Sequence, residues 1–443
     1  MVKTIVFLFT NSKTYKEYLV YFPWEALRNK KIIVLKSNNN AQLKSGESAF
    51  KLCGFTSKLN IFIQYCELWR RRESTITYLF QANVYFGYIK GMPKLFLSLE
   101  KRFRFLERVF IRSCANLFLI NFLNFILKLL FLLETKRLKF DIKNVDLFVL
   151  PFTGGLSPEW NFLVWLGNKY HIPTLGIQEN WDNVSSKMFL TQHPSHFATW
   201  GKQSSSHLRT IHKFQGSLTE IGCLRIQPFY NFRSGLNQNH TSHERASDSK
   251  RLRNIIIIGT GNGYDDLTLI KGLSNYFLNN PTNDLSNFRI LYRPHPFNTS
   301  DIQQQNLDRI RKVPIVQVLS NELFHEERID QIINAVCVIS FYSTVILEAL
   351  ILDKICIIPD FLVRNPNNDQ IKLMDDLPHY AGLSTFKKLI IPNNFDELIK
   401  YIEISSNLNL ESNSLSILDW YCSNSDTKNL LVHIIRNEIL SMR

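Results

Sequence analysis

The tetrapeptide Arg293-Pro294-His295-Pro296 closes an apolar run, Phe288 to Tyr292, that reads as a buried strand. An arginine and a histidine are thereby set at the carboxyl end of a strand, the edge where ligands bind in open α/β sheets. Arg293 offers a permanent guanidinium fork for a phosphate. His295 can donate to a phosphate oxygen or move a proton. A solvated strand end is the plainer alternative, but two anion-directed side chains converging on a ligand edge favour a binding role.

Two further stretches have the same placement. Gly259-Thr260-Gly261-Asn262-Gly263 follows the run Asn254 to Ile258 and turns into a helix near Asp265-Asp266. Glycines there let a phosphate or ribose approach the backbone, although an ordinary tight turn has the same spacing. Ser340-Phe341-Tyr342-Ser343-Thr344 opens an apolar helix carrying Glu348. Ser343 and Thr344 at a helix start either hold phosphate or serve as a cap. Glu348, about one turn inside, is placed to reach ribose hydroxyls.

Carboxylates gather in the other half of the chain. Gln178-Glu179-Asn180-Trp181-Asp182-Asn183 is a dense polar cluster after the apolar run ending at Ile177. Asp182 or Glu179 could take a proton from a hydroxyl or bind sugar, as could Glu159 beyond the Gly154-Gly155 turn. A loop carboxylate or helix cap is the alternative for each. Asp265-Asp266 and Asp375-Asp376 are adjacent pairs without metal-ligand spacing, and no Cys/His set has zinc spacing. No essential divalent ion and no other cofactor is expected. No G-x-S-x-G elbow or Walker loop is present.

The elements that must hold these residues alternate strand and helix. Thr4–Phe9, Lys31–Leu35 and Val145–Pro151 read as buried parallel strands, and His171–Ile177 as a strand after a turn. Asn254–Ile258, Phe288–Tyr292, Val313–Val318, Val336–Ser340 and Lys354–Pro359 form a second set. That rhythm predicts an α/β chain of two doubly wound domains. The expected division is residues 1–225, a polar linker over 226–250, and residues 251–443, with a helical insertion near 90–140 in the first domain.

Within the insertion, Lys101, Arg104, Arg108 and Arg112 recur on one helical face. Leu117 to Leu133 follows, apolar except for Asn121, Asn124 and Lys128. It reads as a core or domain-surface helix, a helix in the membrane interface, or a marginal span. The Thr4–Phe9 run is too short for a signal peptide.

The 443 residues are 45% hydrophobic and 20% charged, which excludes a disordered or collagen-like chain. The net charge of +14 favours anionic partners. Nucleic acid is not expected, because the arginines are not interleaved with stacking aromatics in a recognised module. Seven scattered cysteines without C-x-x-C spacing fit buried free thiols in a reducing cytoplasm.

The series Ile258-Gly259-Thr260-Gly261, Arg293-Pro294-His295-Pro296 and Ser340-x-x-Ser343-Thr344-x-x-x-Glu348-Ala349 resembles the donor half of GT-B glycosyltransferases of bacterial surface-polysaccharide synthesis. The CDP-glycerol glycerophosphotransferase-like and capsule transferases are the nearest group. Asn180 to Lys187 and Trp200-Gly201-Lys202-Gln203 look like signatures of related surface-carbohydrate proteins. Glu179-Asn180 stands where glycerophosphotransferases usually carry His-Gly.

The resemblance implies two facing Rossmann-like domains, a GT-B-like fold, with a nucleotide-activated donor in the second and an acceptor in the first. Arg293, His295, Ser343 and Thr344 would hold donor phosphate beside Gly259, Thr260 and Gly261, and Glu348 the ribose. Glu179, Asn180, Trp181 and Asn183 would line the acceptor side. Asp182, then Glu159, would serve as base. The expected activity is sugar transfer to a cell-surface polysaccharide or lipid-linked acceptor. Apart from the resemblance, the basic face of Lys101, Arg104, Arg108 and Arg112 would meet an anionic membrane or a phosphorylated acceptor, and the expected location is the cytoplasm, with the inner face of the plasma membrane as a peripheral site. Alternatives are glycerol- or polyol-phosphate transfer from a CDP-polyol donor, nucleotide-sugar epimerisation, and a non-catalytic membrane-associated assembly protein.

Overall fold

The computed structural model describes residues 3–37, 47–70, 116–153, 157–187, 190–239, 253–259, 265–280, 288–295, 301–320, 325–362, 378–405 and 415–440. The chain divides into two compact units, each built on one parallel sheet. Unit 1 holds Met1–Leu224, Asp376–His379 and Asp419–Arg443, and unit 2 holds Arg225–Asp375 and Tyr380–Leu418.

The sheet of unit 1 contains β1 (Thr4–Phe9), β2 (Lys31–Lys36), β3 (Glu47–Ala49), β4 (Val145–Phe152), β5 (Thr174–Gln178), β6 (His196–Thr199) and β7 (Ser217–Glu220). Their order is β3-β2-β1-β4-β5-β6-β7. Its helices are α1 (Ser12–Tyr21), α2 (Gly54–Arg70), α3 (Leu117–Thr135), α4 (Pro158–Tyr170) and α5 (Lys202–Thr210). β1 and β4 are near-continuous apolar runs because both faces of the sheet are covered. One face buries Val6, Leu8 and Phe148 with Phe162 and Trp165 of α4 and Leu127 and Phe131 of α3. The other buries Phe7, Phe9 and Val149 with Tyr18 of α1. α4 starts where the Ser157 side chain accepts from Trp160 N and Pro158 fills the first turn. It stops at His171, which adopts a left-handed φ of 55°.

Unit 2 contains β8 (Arg253–Ile258), β9 (Phe288–Arg293), β10 (Val316–Val318), β11 (Ala335–Ser340), β12 (Cys356–Ile357) and β13 (Leu389–Ile390), in the order β10-β9-β8-β11-β12-β13. The helices are α6 (Gln227–Asn239), α7 (Asp266–Asn279), α8 (Asp301–Arg311), α9 (His325–Ile333), α10 (Val345–Ile351) and α11 (Phe395–Ser405). Ile255, Ile257, Leu269, Leu273, Ile290 and Ile339 centre the core.

The chain leaves unit 2 within α12 (Leu415–Tyr421) and returns to unit 1 through α13 (Thr427–His433). Leu431, Ile434, Ile435, Ile439 and Leu440 join the core cluster of Phe7 and Val149.

Three sequence expectations change. Part of the 226–250 linker is helix α6, anchored by fully buried Phe229 and Tyr230, two aromatics among the polar residues. Residues 378–379 and 419–440 belong with unit 1 instead of unit 2: His379 packs on Trp181, and the closing helices offer their apolar faces to the first sheet. Cys53 is exposed, whereas Cys66, Cys223, Cys337, Cys356 and Cys422 are buried free thiols.

Candidate functional site

In a doubly wound sheet the strand order reverses at one point, and ligands bind outside the carboxyl ends of the strands there. In unit 2 that point lies between β8 and β11. Register puts Arg293, Ile258 and Ser340 in one row at that edge, since Ile258 pairs with both other residues. The end of β9 therefore delivers Arg293 two strand spacings, about 10 Å, from Ser340.

The arginine is not a solvated strand end. Arg293 is only 7% exposed. Its pKa is pushed down to about 10, by burial and then by the neighbouring Arg328, with Glu348 opposing. It stays cationic at neutral pH. His295, two residues on, is half-buried.

Gly259 follows β8, and its N–H donates to Arg293 O at 2.8 Å. A Cβ at this glycine would lie 2.6 Å from Tyr292 Oη. The glycine is thus required by packing over the buried Tyr292–Asp266 hydrogen bond of 2.8 Å. Thr260 and Gly261 lie outside the described residues.

After β11, Ser340 Oγ and Ser343 Oγ lie 2.8 Å apart, and Ser343 Oγ accepts from Val345 N. Ser343 is thus engaged by the backbone just ahead of the helix, whose N-cap is Thr344. Thr344 makes no side-chain cap bond, and α10 has only seven residues.

Glu348 lies on α10. It is 2% exposed, and both its carboxylate oxygens accept from Arg328 Nη2. Burial pushes its pKa up, but the attraction of Arg328, Arg293 and Arg225 outweighs that and holds the carboxyl below its usual range. Arg328 comes from α9 and Arg225 from the start of unit 2. Neither was visible as a site residue in the sequence. Arg328 follows Glu326 and Glu327, a run that reads as a solvated helix face.

In unit 1 the Gln178–Asn183 cluster folds into a hydrogen-bonded turn at the carboxyl end of β5. Gln178 Nε2 donates to Asn180 O and Trp181 O, each at 3.0 Å, and its Oε1 accepts from Trp200 N. Asn183 Nδ2 donates to Thr153 O at 2.8 Å. Trp181 is buried, donates to Gln203 Oε1, and packs edge-on against His379. The Ser185 hydroxyl and His379 Nδ1 lie 3.0 Å apart.

Glu179 is buried and accepts from Tyr18 Oη at 2.8 Å, with the Tyr18 pKa driven well up by burial and then by Glu179. Glu179, Trp181 and Asn183 are therefore interior residues, while Asn180 and Asp182 are half-buried at the sheet edge. Glu159 is 6% exposed and accepts from Leu52 N at 3.3 Å. Burial pushes its pKa up, over the opposing backbone hydrogen bonds. Lys101, Arg104, Arg108 and Arg112 lie outside the described residues.

No protein-family model and no curated protein matches the sequence. Solved structures do. The UDP-GlcNAc 2-epimerase of Methanocaldococcus jannaschii superposes with a TM-score of 0.50 at 10% identity, covering 99% of this chain and 100% of its own. A putative UDP-N-acetylglucosamine 2-epimerase of Listeria monocytogenes gives 0.50 at 8% identity, over 99% and 97%. The α,α-trehalose 6-phosphate synthase of Burkholderia multivorans gives 0.48 at 9% identity, over 100% and 98%. The chain has the GT-B fold. At these identities the likeness concerns fold alone.

Proposed function

We propose that this protein is a GT-B glycosyltransferase, moving a sugar from a nucleotide-activated donor to a cell-surface polysaccharide or a lipid-linked acceptor. One observation carries the donor side. Arg293 is a buried guanidinium in one row with Ile258 and Ser340, beside the reversal point of a parallel sheet. That is where a leaving nucleotide's phosphates would be neutralised. His295 stands next to it. On the acceptor side Asp182 is the base, since it is half-buried at the sheet edge. Glu159 is committed to Leu52 N inside the packing of α4.

The acceptor is tied to a lipid surface by α3. This helix is long and apolar enough to cross a membrane, a test that core helices also pass. Its inner face, with Ile120, Leu127 and Phe131, is packed into unit 1, which favours lying in an interface over spanning. Its outer face leaves Phe118, Phe122, Phe125, Leu129 and Leu133 exposed, with exposed Lys128 at its flank and Lys136 at its end. Apolar rings flanked by lysines suit a bilayer with anionic headgroups. The sequence adds Lys101, Arg104, Arg108 and Arg112 just upstream. Replacing Phe118, Phe122 and Phe125 by Ser, or Arg104, Arg108 and Arg112 by Glu, is expected to release the protein from phosphatidylglycerol vesicles. Retention by both variants would refute the contact.

The donor reading is tested by thermal shift with CMP, CDP, UDP, GDP and their common sugar conjugates. A ligand at about 100 times its dissociation constant stabilises the native state by about 2.7 kcal/mol. A selective shift, lost in Arg293→Ala/His295→Ala, is the expected result. No shift with any nucleotide would favour a non-catalytic assembly protein. Phosphorus in the product would indicate polyol-phosphate transfer from a CDP-polyol. The second reading is epimerisation, favoured by the full-length likeness to two UDP-GlcNAc 2-epimerases, one of them also known with UDP-GlcNAc and UDP. Incubation with UDP-GlcNAc alone decides it, since an epimerase inverts the sugar without an acceptor.

A further inference from the structure

Among residues 181–185 of unit 1, Asp182 alone is not buried. Its place is set by how the buried residues on either side are held. One residue from far along the chain holds both sides. His379 lies 194 residues beyond Ser185, within the same unit, and is 3% exposed.

On one side His379 Nδ1 and the Ser185 hydroxyl are 3.0 Å apart. On the other the imidazole packs edge-on against Trp181, with ring centres 5.1 Å apart. The backbone of His379 is gripped as well. Gln203 Nε2 donates to Pro378 O at 3.3 Å and to His379 O at 3.2 Å, while Gln203 Oε1 accepts from Trp181 Nε1 at 3.0 Å. Trp181, Gln203, His379 and Ser185 thus form a closed circuit, completed by the chain through Asp182.

The direction of the hydrogen bonds follows from counting protons. A serine hydroxyl has one. Ser185 Oγ donates it to Asp182 O at 3.3 Å, and Ser185 N donates to the same oxygen at 3.2 Å. The proton between Ser185 and His379 therefore sits on Nδ1, which donates to Ser185 Oγ. The imidazole acts on the backbone of Asp182 through a single hydroxyl. Packing against Trp181 would be served equally by a phenyl ring. The nitrogen is the part that packing does not need, and a buried polar atom is costly unless it is bonded.

We propose that His379 is a positioning residue, which fixes the turn bearing Asp182 through its bond to the Ser185 hydroxyl. This rests on the reading of Asp182 as the base and assigns no proton transfer to the imidazole.

The test is amide hydrogen exchange at Asn183 and Ser185, whose N–H groups donate within the turn to Asn180 O and Asp182 O. His379→Asn keeps a donor for the hydroxyl and loses the ring. His379→Phe keeps a ring and loses the donor. Ser185→Ala removes only the hydroxyl. Exchange in His379→Asn is expected within about threefold of wild type. In His379→Phe and Ser185→Ala it should be about tenfold faster or more, the loss that an unsatisfied buried partner entails. Unchanged protection in β1 checks that the fold is intact. Protection kept in His379→Phe or Ser185→Ala, or lost in His379→Asn, would overturn the proposal. If His379→Phe does not fold, Ser185→Ala and His379→Asn decide.

Release of UDP from UDP-GlcNAc in water is the separate probe of turnover. kcat is expected to fall about tenfold in His379→Phe and Ser185→Ala with KM unchanged, to fall further in Asp182→Asn, and to stay near wild type in His379→Asn. Full release by Asp182→Asn would sink the base reading and leave the clasp to stand on the exchange order. Equal kcat in all three His379 and Ser185 variants, with Asp182→Asn inactive, would keep the base and overturn the positioning role.

Discussion

Tyr292 Oη donates to Asp266 Oδ2 at 2.8 Å beneath the end of β8, 2.6 Å from where a Cβ on Gly259 would stand. The bond ties β9 to the start of α7 and fills the space that any side chain at position 259 would need. Gly259→Ala is expected to destabilise unit 2 by about 1–3 kcal/mol, the usual cost of overpacking a core. Tyr292→Phe removes the clashing oxygen. The double variant should therefore lose less than the two single losses combined, a coupling that a denaturation cycle measures. Additive losses would mean that the glycine is needed for another reason.

Glu159 and Glu348 are buried carboxyls whose titration runs in opposite directions. The folded Glu159 pKa is raised above its ordinary 4.5, so the native state binds its proton more tightly and the ionised group is a cost at neutral pH. Glu159→Gln keeps an acceptor for Leu52 N. Its melting temperature should exceed wild type at pH 7, with the gain vanishing as pH falls below about 4. The folded Glu348 pKa is lowered, so its contribution is present above the ordinary carboxylate range and is lost as pH falls through the folded value. Glu348→Gln should cost about 3–5 kcal/mol at pH 7, as breaking a buried pair does. That deficit should shrink in acid. Parallel pH profiles for the two variants would contradict the assignment.

Much of this was legible in the chain. β1, β4, β8, β9 and β11 are continuous apolar runs, and such runs mark strands covered on both faces. β3, β6, β7 and β13 have two to four residues and carry little pattern, so only their neighbours reveal them. Arg293 was legible because prolines and an apolar run fix its place. Arg328 was not, because its partner Glu348 is twenty residues away and meets it only through the fold. Asn180 to Asn183 looked like a reactive cluster. Gln178 and Asn183 serve a turn whose backbone groups need partners away from water, while Asp182 stands half-buried at its edge.

The burial of Arg293 also bears on metal dependence. A divalent ion at a nucleotide site neutralises diphosphate charge, and the buried Arg293 guanidinium at the sheet edge can supply part of that charge itself. Transfer is expected to proceed undiminished in EDTA. Restoration of activity by added magnesium after chelation would refute this.

The closing segment should be indispensable to unit 1 rather than to unit 2. Leu431, Ile434, Ile435, Ile439 and Leu440 are each at most 3% exposed and lie against the face of the first sheet that carries Phe7 and Val149. Burial of such side chains contributes roughly 1.5–3 kcal/mol each. Five of them together rival the 5–15 kcal/mol that typically separates a folded domain from its unfolded state. Gly222 adds a second tie. It has a φ of 76°, and a Cβ there would meet Ser423 O at 2.4 Å, so the chain before α13 fits closely against the end of β7. Truncation after Ser425 should therefore abolish native hydrogen-exchange protection in β1 and β4 while leaving β8 and β9 protected. Equal loss in both sheets would show that the two units unfold as one, and unchanged protection in β1 would show that the segment contributes little to the first core.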